Sequence, residues 1–225
     1  MTEFTLVRGD VELRGTATGS GPTVLLLHAG GEERGVWAPV AAALSQRGLR
    51  SVAYDLRGHG ASSGEATTLA VLVADVAAMI HREPAPVVVV GASLGGLAAI
   101  GSLADPSTAL AVAGLILVDV VPESDAPRVR AWLDSLGLRD RRAHLVEDIF
   151  EHSHELLATA TDLELPILLV RGGPTSPLAD AEIDRFCAAK PTVEVTRIPD
   201  AGHLIARDAP EELGRLIADR ATTWL

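Results

Sequence analysis

The stretch Val87-Val88-Val89-Val90-Gly91-Ala92-Ser93-Leu94-Gly95-Gly96-Leu97 reads as a short apolar strand that enters a helix through a glycine-flanked serine. Four consecutive valines are too uniformly apolar for a strand with one face in water, so Val87 to Val90 is expected inside a parallel sheet covered on both faces. Leu94 to Leu103 is compatible with a helix. Gly91, Ser93 and Gly95 form a G-x-S-x-G pattern on the turn between the two. A sharp turn exposes the serine hydroxyl and needs small neighbours, because bulk at Gly91 or Gly95 would collide with adjacent backbone. The helix beginning at Leu94 points free N–H groups and its positive end toward any oxyanion formed beside Ser93. The competing reading is a plain turn with a serine N-cap.

Outward from this turn, short apolar runs alternate with helix-periodic segments, the pattern of an α/β fold with a mostly parallel central sheet and helices on both faces. Further strands are expected at Thr23 to Leu27, Ser51 to Tyr54, Leu115 to Val118, Ile167 to Val170 and Val193 to Ile198. Helices are expected at Val36 to Gln46, Leu69 to His81, Asp180 to Ala189 and Pro210 to Ala221, the last with proline in a permitted first-turn position. Ahead of them, Thr5 to Val7 and Glu12 to Thr16 flank Arg8, Gly9 and Asp10, whose turn chemistry suggests an N-terminal antiparallel hairpin at one sheet edge. Residues 120–165 interrupt the alternation with proline and charge. They then offer a helical stretch in which Leu145, Val146, Ile149, Phe150, Leu156 and Leu157 cluster on one face. This segment is read as a short inserted cap on a single domain spanning 1–225, without internal repeats or a linker long enough to divide it.

Composition narrows the function classes. With 225 residues, 48% hydrophobic and 22% charged, the chain has ordinary globular usage and can bury a substantial core. Its net charge of −11 repels phosphate backbones and anionic headgroups alike, so neither nucleic acid nor membrane is expected as a partner. No apolar run approaches the ~20 residues of a membrane helix, and the first residues lack a signal-peptide pattern. Cys187 is the only cysteine, which excludes an internal disulfide and a thiolate metal cluster within one chain. A cytoplasmic location is the expectation.

Two other segments add chemistry to Ser93. Leu25-Leu26-Leu27-His28-Ala29-Gly30-Gly31 runs from a strand into a small-residue loop whose N–H groups can approach a ligand closely. Pro199-Asp200-Ala201-Gly202-His203 follows the last strand, setting an imidazole at the carboxyl edge of the sheet, where open α/β sheets keep their sites. Six other histidines compete, but His203 alone combines strand-end position, a preceding glycine and a place downstream of the serine.

Together these segments resemble the α/β-hydrolase superfamily over most of the chain, including Asp55-Leu56-Arg57-Gly58-His59-Gly60-Ala61-Ser62, similar to the D-x-R-G-x-G-x-S stretch of that family, and Arg171-Gly172-Gly173. The resemblance implies Ser93 as nucleophile, His203 as base, and the backbone N–H groups of Leu94 and Gly30 as oxyanion donors. The loop reads His-Ala-Gly rather than the commoner His-Gly. The family usually carries its acid shortly after the strand corresponding to Ile167 to Val170, yet Ser176 stands there, and a serine cannot hold a full charge against an imidazolium. Asp119, at the end of the strand Leu115 to Val118, is the first candidate for the acid, as in members that draw it from this earlier strand. It could instead cap a turn. Asp180 is the reserve, and it could simply cap its helix.

The remaining signals carry bland readings. Asp55, Arg57 and His59 are expected to shape the loop behind the serine. His152 and His154 look metal-like, but two residues apart on a helix corresponds to ~200° of rotation, which no single ion spans. No metal is expected. Trp37 and Trp224 are read as packing residues, and Trp132 as a candidate pocket residue. The implied activity is a serine hydrolase cleaving small or medium carboxylic esters in a shallow, open pocket, with no cofactor and a small-molecule ester as partner. Open alternatives are a cofactor-free perhydrolase or haloperoxidase, and a hydrolase-fold protein that binds a small molecule without useful turnover.

Overall fold

The computed structural model describes residues 1–137 and 143–225, so residues 138–142 of the expected insertion lie outside the described residues. Eight strands form one sheet: β1 (Thr2–Arg8), β2 (Val11–Thr18), β3 (Thr23–Leu27), β4 (Arg50–Tyr54), β5 (Val87–Ala92), β6 (Val112–Val118), β7 (Ile167–Arg171) and β8 (Glu194–Arg197). Their spatial order is β1-β2-β4-β3-β5-β6-β7-β8. The β1/β2 hairpin is antiparallel, β2 meets β4 antiparallel, and every later pairing is parallel. The α/β fold and the edge hairpin thus stand as expected.

Side-chain alternation along the buried strands divides the core in two. Leu25, Leu27, Val87, Val89, Leu115, Leu117 and Leu169 face one side, under α2 (Leu69–Arg82), α3 (Leu94–Ser102) and α8 (Asp180–Ala189). Val24, Leu26, Val88, Val90, Ile116, Val118 and Val170 face the other, under α1 (Ala38–Gln46) and the C-terminal helix Pro210–Trp224. Burial of each such side chain contributes about 1.5–3 kcal/mol, which explains why these strands read as unbroken apolar runs.

Several boundaries differ from the sequence reading. β5 extends through Gly91 and Ala92, so the strand delivers Ser93 directly. The first helix begins at Ala38 after a short 3-10 turn, Arg34–Trp37, with Pro39 in its first turn. α4 (Pro106–Leu110), capped by Asp105 through the Thr108 N–H at 3.0 Å, was not expected. Between β6 and β7 lie α5 (Ala126–Ser135), α6 (Ala143–Glu151) and α7 (Ser153–Asp162), rather than one continuous helical stretch. The break falls at His152, whose Nδ1 bonds the Asp148 carbonyl at 2.7 Å, while Ser153 Oγ donates to the Phe150 carbonyl at 2.8 Å. Side chains that capture carbonyls in this way satisfy a helix end and reset the helical phase. α9 (Ile205–Asp208) and α10 (Pro210–Trp224) close the chain. No helix among the described residues is long and apolar enough to cross a membrane.

Candidate active site

The parallel register brings three strand ends to one edge of the sheet. Ala92 pairs with Val118, and Val118 pairs with Val170, so Ser93 and Asp119 leave adjacent strands at the same level. The Ser93 N–H donates to the Val118 carbonyl at 3.1 Å and the Asp119 N–H to the Val170 carbonyl at 2.8 Å, continuing the ladder one residue further.

Ser93 has φ 46° and ψ −114°, a sparsely populated conformation for an L-residue and one that lifts its side chain out of the turn. Its neighbours must be small. A methyl group on Gly91 would lie 2.5 Å from Gly96 Cα, and one on Gly95 would lie 2.7 Å from the Leu27 carbonyl oxygen. Leu94 opens α3, so its N–H belongs to the first turn, where helix N–H groups have no partner within the helix. Gly30 lies against it: a methyl group there would touch Leu94 Cβ at 3.7 Å.

The loop carrying Gly30 is fastened by His28. His28 Nε2 accepts the Leu56 N–H at 3.0 Å, so the ring proton is on Nδ1 and is donated to the Ala29 carbonyl at 2.8 Å. Behind the loop, buried Asp55 accepts from the Arg34 N–H at 2.7 Å, from the Arg34 guanidinium and from the Ala61 N–H at 2.8 Å. Arg57 makes a two-pronged bond to buried Asp75 at 2.7 and 2.8 Å. These contacts build loops, and none of these residues lines the cavity at Ser93.

His203 arrives on the segment after β8. Its approach depends on Gly172 and Gly173, since a methyl group on either would overlap carbonyl oxygens of Gly202 or Pro199. The Gly173 N–H donates to the Ala201 carbonyl at 2.7 Å, and Asp208 accepts the Gly202 N–H at 2.9 Å. His203 Nδ1 lies 2.8 Å from Asp119 Oδ2, a hydrogen-bond contact with the carboxylate fully buried. Asp119 Oδ1 accepts the Gly172 N–H at 2.7 Å, and Ser176 Oγ donates to Oδ2. Asp180 is elsewhere: exposed, it pairs with Arg171 and Arg197, and as the first residue of α8 it is not the helix cap.

Ser93, Leu94, Gly30, Asp119, Trp132 and His203 all border one cavity of about 350 Å³. The expected shallow, open pocket is instead walled by the β6–β7 segment, which contributes Val129, Trp132, Leu133, Leu145, Val146, Ile149 and Phe150. Trp132 meets His203 edge to face, ring centroids 4.7 Å apart. Trp37 is fully buried, and Trp224 packs over Gly114. Next to the lining residue Gly31, burial raises the Glu32 carboxyl above its usual range, against the opposing pull of a backbone hydrogen bond at Ala29 and of Arg207 and His203. No sequence motif marks the contacts of Ser176 and Glu182. Only the place of Ser176 in the Arg-Gly-Gly segment hinted at the first.

Glu182 is a buried carboxylate on the cavity wall. It accepts from the N–H groups of Asp125 at 2.5 Å and Ala179 at 2.7 Å and from Arg128 Nη1 at 2.6 Å, tying the start of α5 to α8. His152 and His154 do not share an ion site: His154 faces Glu123 at 3.3 Å, and His152 faces Asp148 and Glu155. Among the described residues no group of three or more His, Cys, Asp or Glu side chains could hold a metal ion.

A sheet of this order, with a strained serine at the end of β5 and a histidine–aspartate pair across the same cavity, defines the fold to which comparisons with known proteins also lead. The profile of the alpha/beta hydrolase family matches residues 24–216, and the chain belongs to that family. It is 30% identical to an esterase of Mycobacterium tuberculosis, over 88% of this chain and 82% of that protein. It is 33% identical to protein phosphatase methylesterase 1 of Mus musculus over 59% of this chain, and it spans about a third of that relative's length, 36%. A solved esterase of Thermogutta terrifontis superposes with a TM-score of 0.74 at 22% identity, covering 99% of each chain, a likeness of fold.

Proposed function

We propose that this protein is a serine hydrolase of small or medium apolar carboxylic esters. Ser93 Oγ attacks the ester carbonyl while His203 Nε2 takes its proton; the imidazolium then protonates the departing alkoxide, and water releases the acyl group by the same route. Asp119, as an ionised acceptor, keeps the ring proton on Nδ1 and leaves the Nε2 lone pair free. The N–H groups of Leu94 and Gly30 bind the oxyanion. The observation that carries this reading is the 2.8 Å contact of His203 Nδ1 with Asp119 across a cavity bordered by Ser93.

Residues 120–165 act in this reading as a short cap on a single hydrolase domain. The cavity is near the small end of ligand pockets, which favours short or medium chains. Leu97, Leu133, Leu145 and Ile149 favour apolar ones. Esterase names among the relatives point the same way. The test is hydrolysis of nitrophenyl esters of increasing acyl length. Butyrate is expected to outpace palmitate, and Ser93→Ala to lose about 10⁴-fold or more in kcat. Preference for palmitate would overturn the substrate class, and an active Ser93→Ala the mechanism.

A further inference from the structure

We propose that Ser176 is a positioning residue for the Asp119–His203 pair, acting through Asp119 and not on substrate. The inference rests on the reading of that pair given above. Ser176 Oγ accepts the Leu178 N–H at 3.0 Å, so the oxygen's orientation is fixed and its one proton is committed to Asp119 Oδ2. The carboxylate then has a donor on each edge: the Gly172 N–H at 2.7 Å on Oδ1, and Ser176 beside His203 on Oδ2. Rotation of the carboxylate about its Cβ–Cγ bond would break contacts at both oxygens.

Two effects follow. Without the hydroxyl, Oδ2 is held only by the imidazole it is meant to orient, and the ring loses the fixed orientation that the proposed proton transfer from Ser93 requires. The same hydroxyl also withdraws charge from Oδ2. Its loss makes that oxygen a stronger partner for the Nδ1 proton and stabilises the imidazolium. The acid limb of the pH–rate profile therefore moves to higher pH as the maximal rate falls. The cavity is bordered by Pro177 and Leu178 but not by Ser176, so substrate binding is spared. A serine that merely shaped the β7–α8 loop would alter stability and leave the profile in place.

The experiment compares wild type with Ser176→Ala, Ser176→Cys, Ser176→Thr and Asp119→Asn on nitrophenyl butyrate across pH, with proton NMR of the downfield His203 Nδ1–H resonance. For Ser176→Ala we expect about a tenfold fall in kcat, the scale of one hydrogen bond to a charged group, with KM within about twofold. The acid limb shifts upward and the resonance moves, while Ser176→Thr restores both. Ser176→Cys keeps the volume with a weaker donor, and it shifts the same limb even if the alanine variant does not fold. Wild-type profiles and resonances in the alanine or cysteine variant, beside an inactive Asp119→Asn, overturn the role of Ser176 alone. An Asp119→Asn variant with full activity overturns the underlying pair and this inference with it.

Discussion

At Ser93 the backbone is held where an L-residue loses about 1–3 kcal/mol, in the turn that carries the proposed nucleophile. Glycine relaxes in such a conformation. After the extra chain entropy glycine loses on folding, Ser93→Gly is expected to gain about 1 kcal/mol, a rise of about 2–4 °C in the thermal midpoint. Ser93→Ala keeps the strained φ and is expected to melt near wild type; equal midpoints for the two variants would remove the strain. Glu32 supplies a pH-dependent counterpart. Burial raises its carboxyl in the folded state above its unfolded value, so its stabilising effect is complete below the unfolded value and is lost as pH rises through the folded one. Glu32→Gln should therefore be more stable than wild type at pH 7 and indistinguishable at pH 4 by denaturant titration.

At the scale of elements, the start of α5 is tied to α8 by a single buried side chain. Glu182 holds the start of this helix by the Asp125 N–H and Arg128, and the helix in turn carries Trp132 to the His203 ring. Glu182→Ala removes the acceptor of the Asp125 N–H and leaves Arg128 only its weaker pair with Asp125 at 3.6 Å; faster amide exchange over residues 126–135 and a KM for nitrophenyl butyrate raised about tenfold are expected. Unchanged exchange would show that α5 is held without Glu182, by its Asp125 cap, the Arg130–Glu147 pair and its apolar contacts. The central strands were legible in the sequence because burial on both faces leaves an unbroken apolar run, as in Val87 to Val90. The β6–β7 segment was not, because its apolar positions are interrupted by a helix break at His152 that depends on side chains capturing backbone carbonyls. Asp125 followed by Pro127 was a readable start for α5 that the periodicity concealed.

At the scale of the whole molecule, Ser93 and His203 are candidates from local pattern, whereas Asp119 is a candidate only through its strand-end place and the family resemblance. The order serine, aspartate, histidine is visible in one dimension, but contact across 84 positions depends on the β6–β7 register and on the close approach that Gly172 and Gly173 allow. The net charge of −11 adds a prediction of its own. Turnover of a dicarboxylate monoester should rise with salt as repulsion is screened, while a neutral ester of equal length stays level.

The central claim, that Ser93 is made nucleophilic by His203, is tested most directly by intact-mass measurement and peptide mapping after exposure to a fluorophosphonate. One adduct on the peptide carrying Ser93 is predicted, forming at least a hundredfold more slowly in His203→Ala. A wild-type labelling rate in that variant, or an adduct only at other residues, would contradict it.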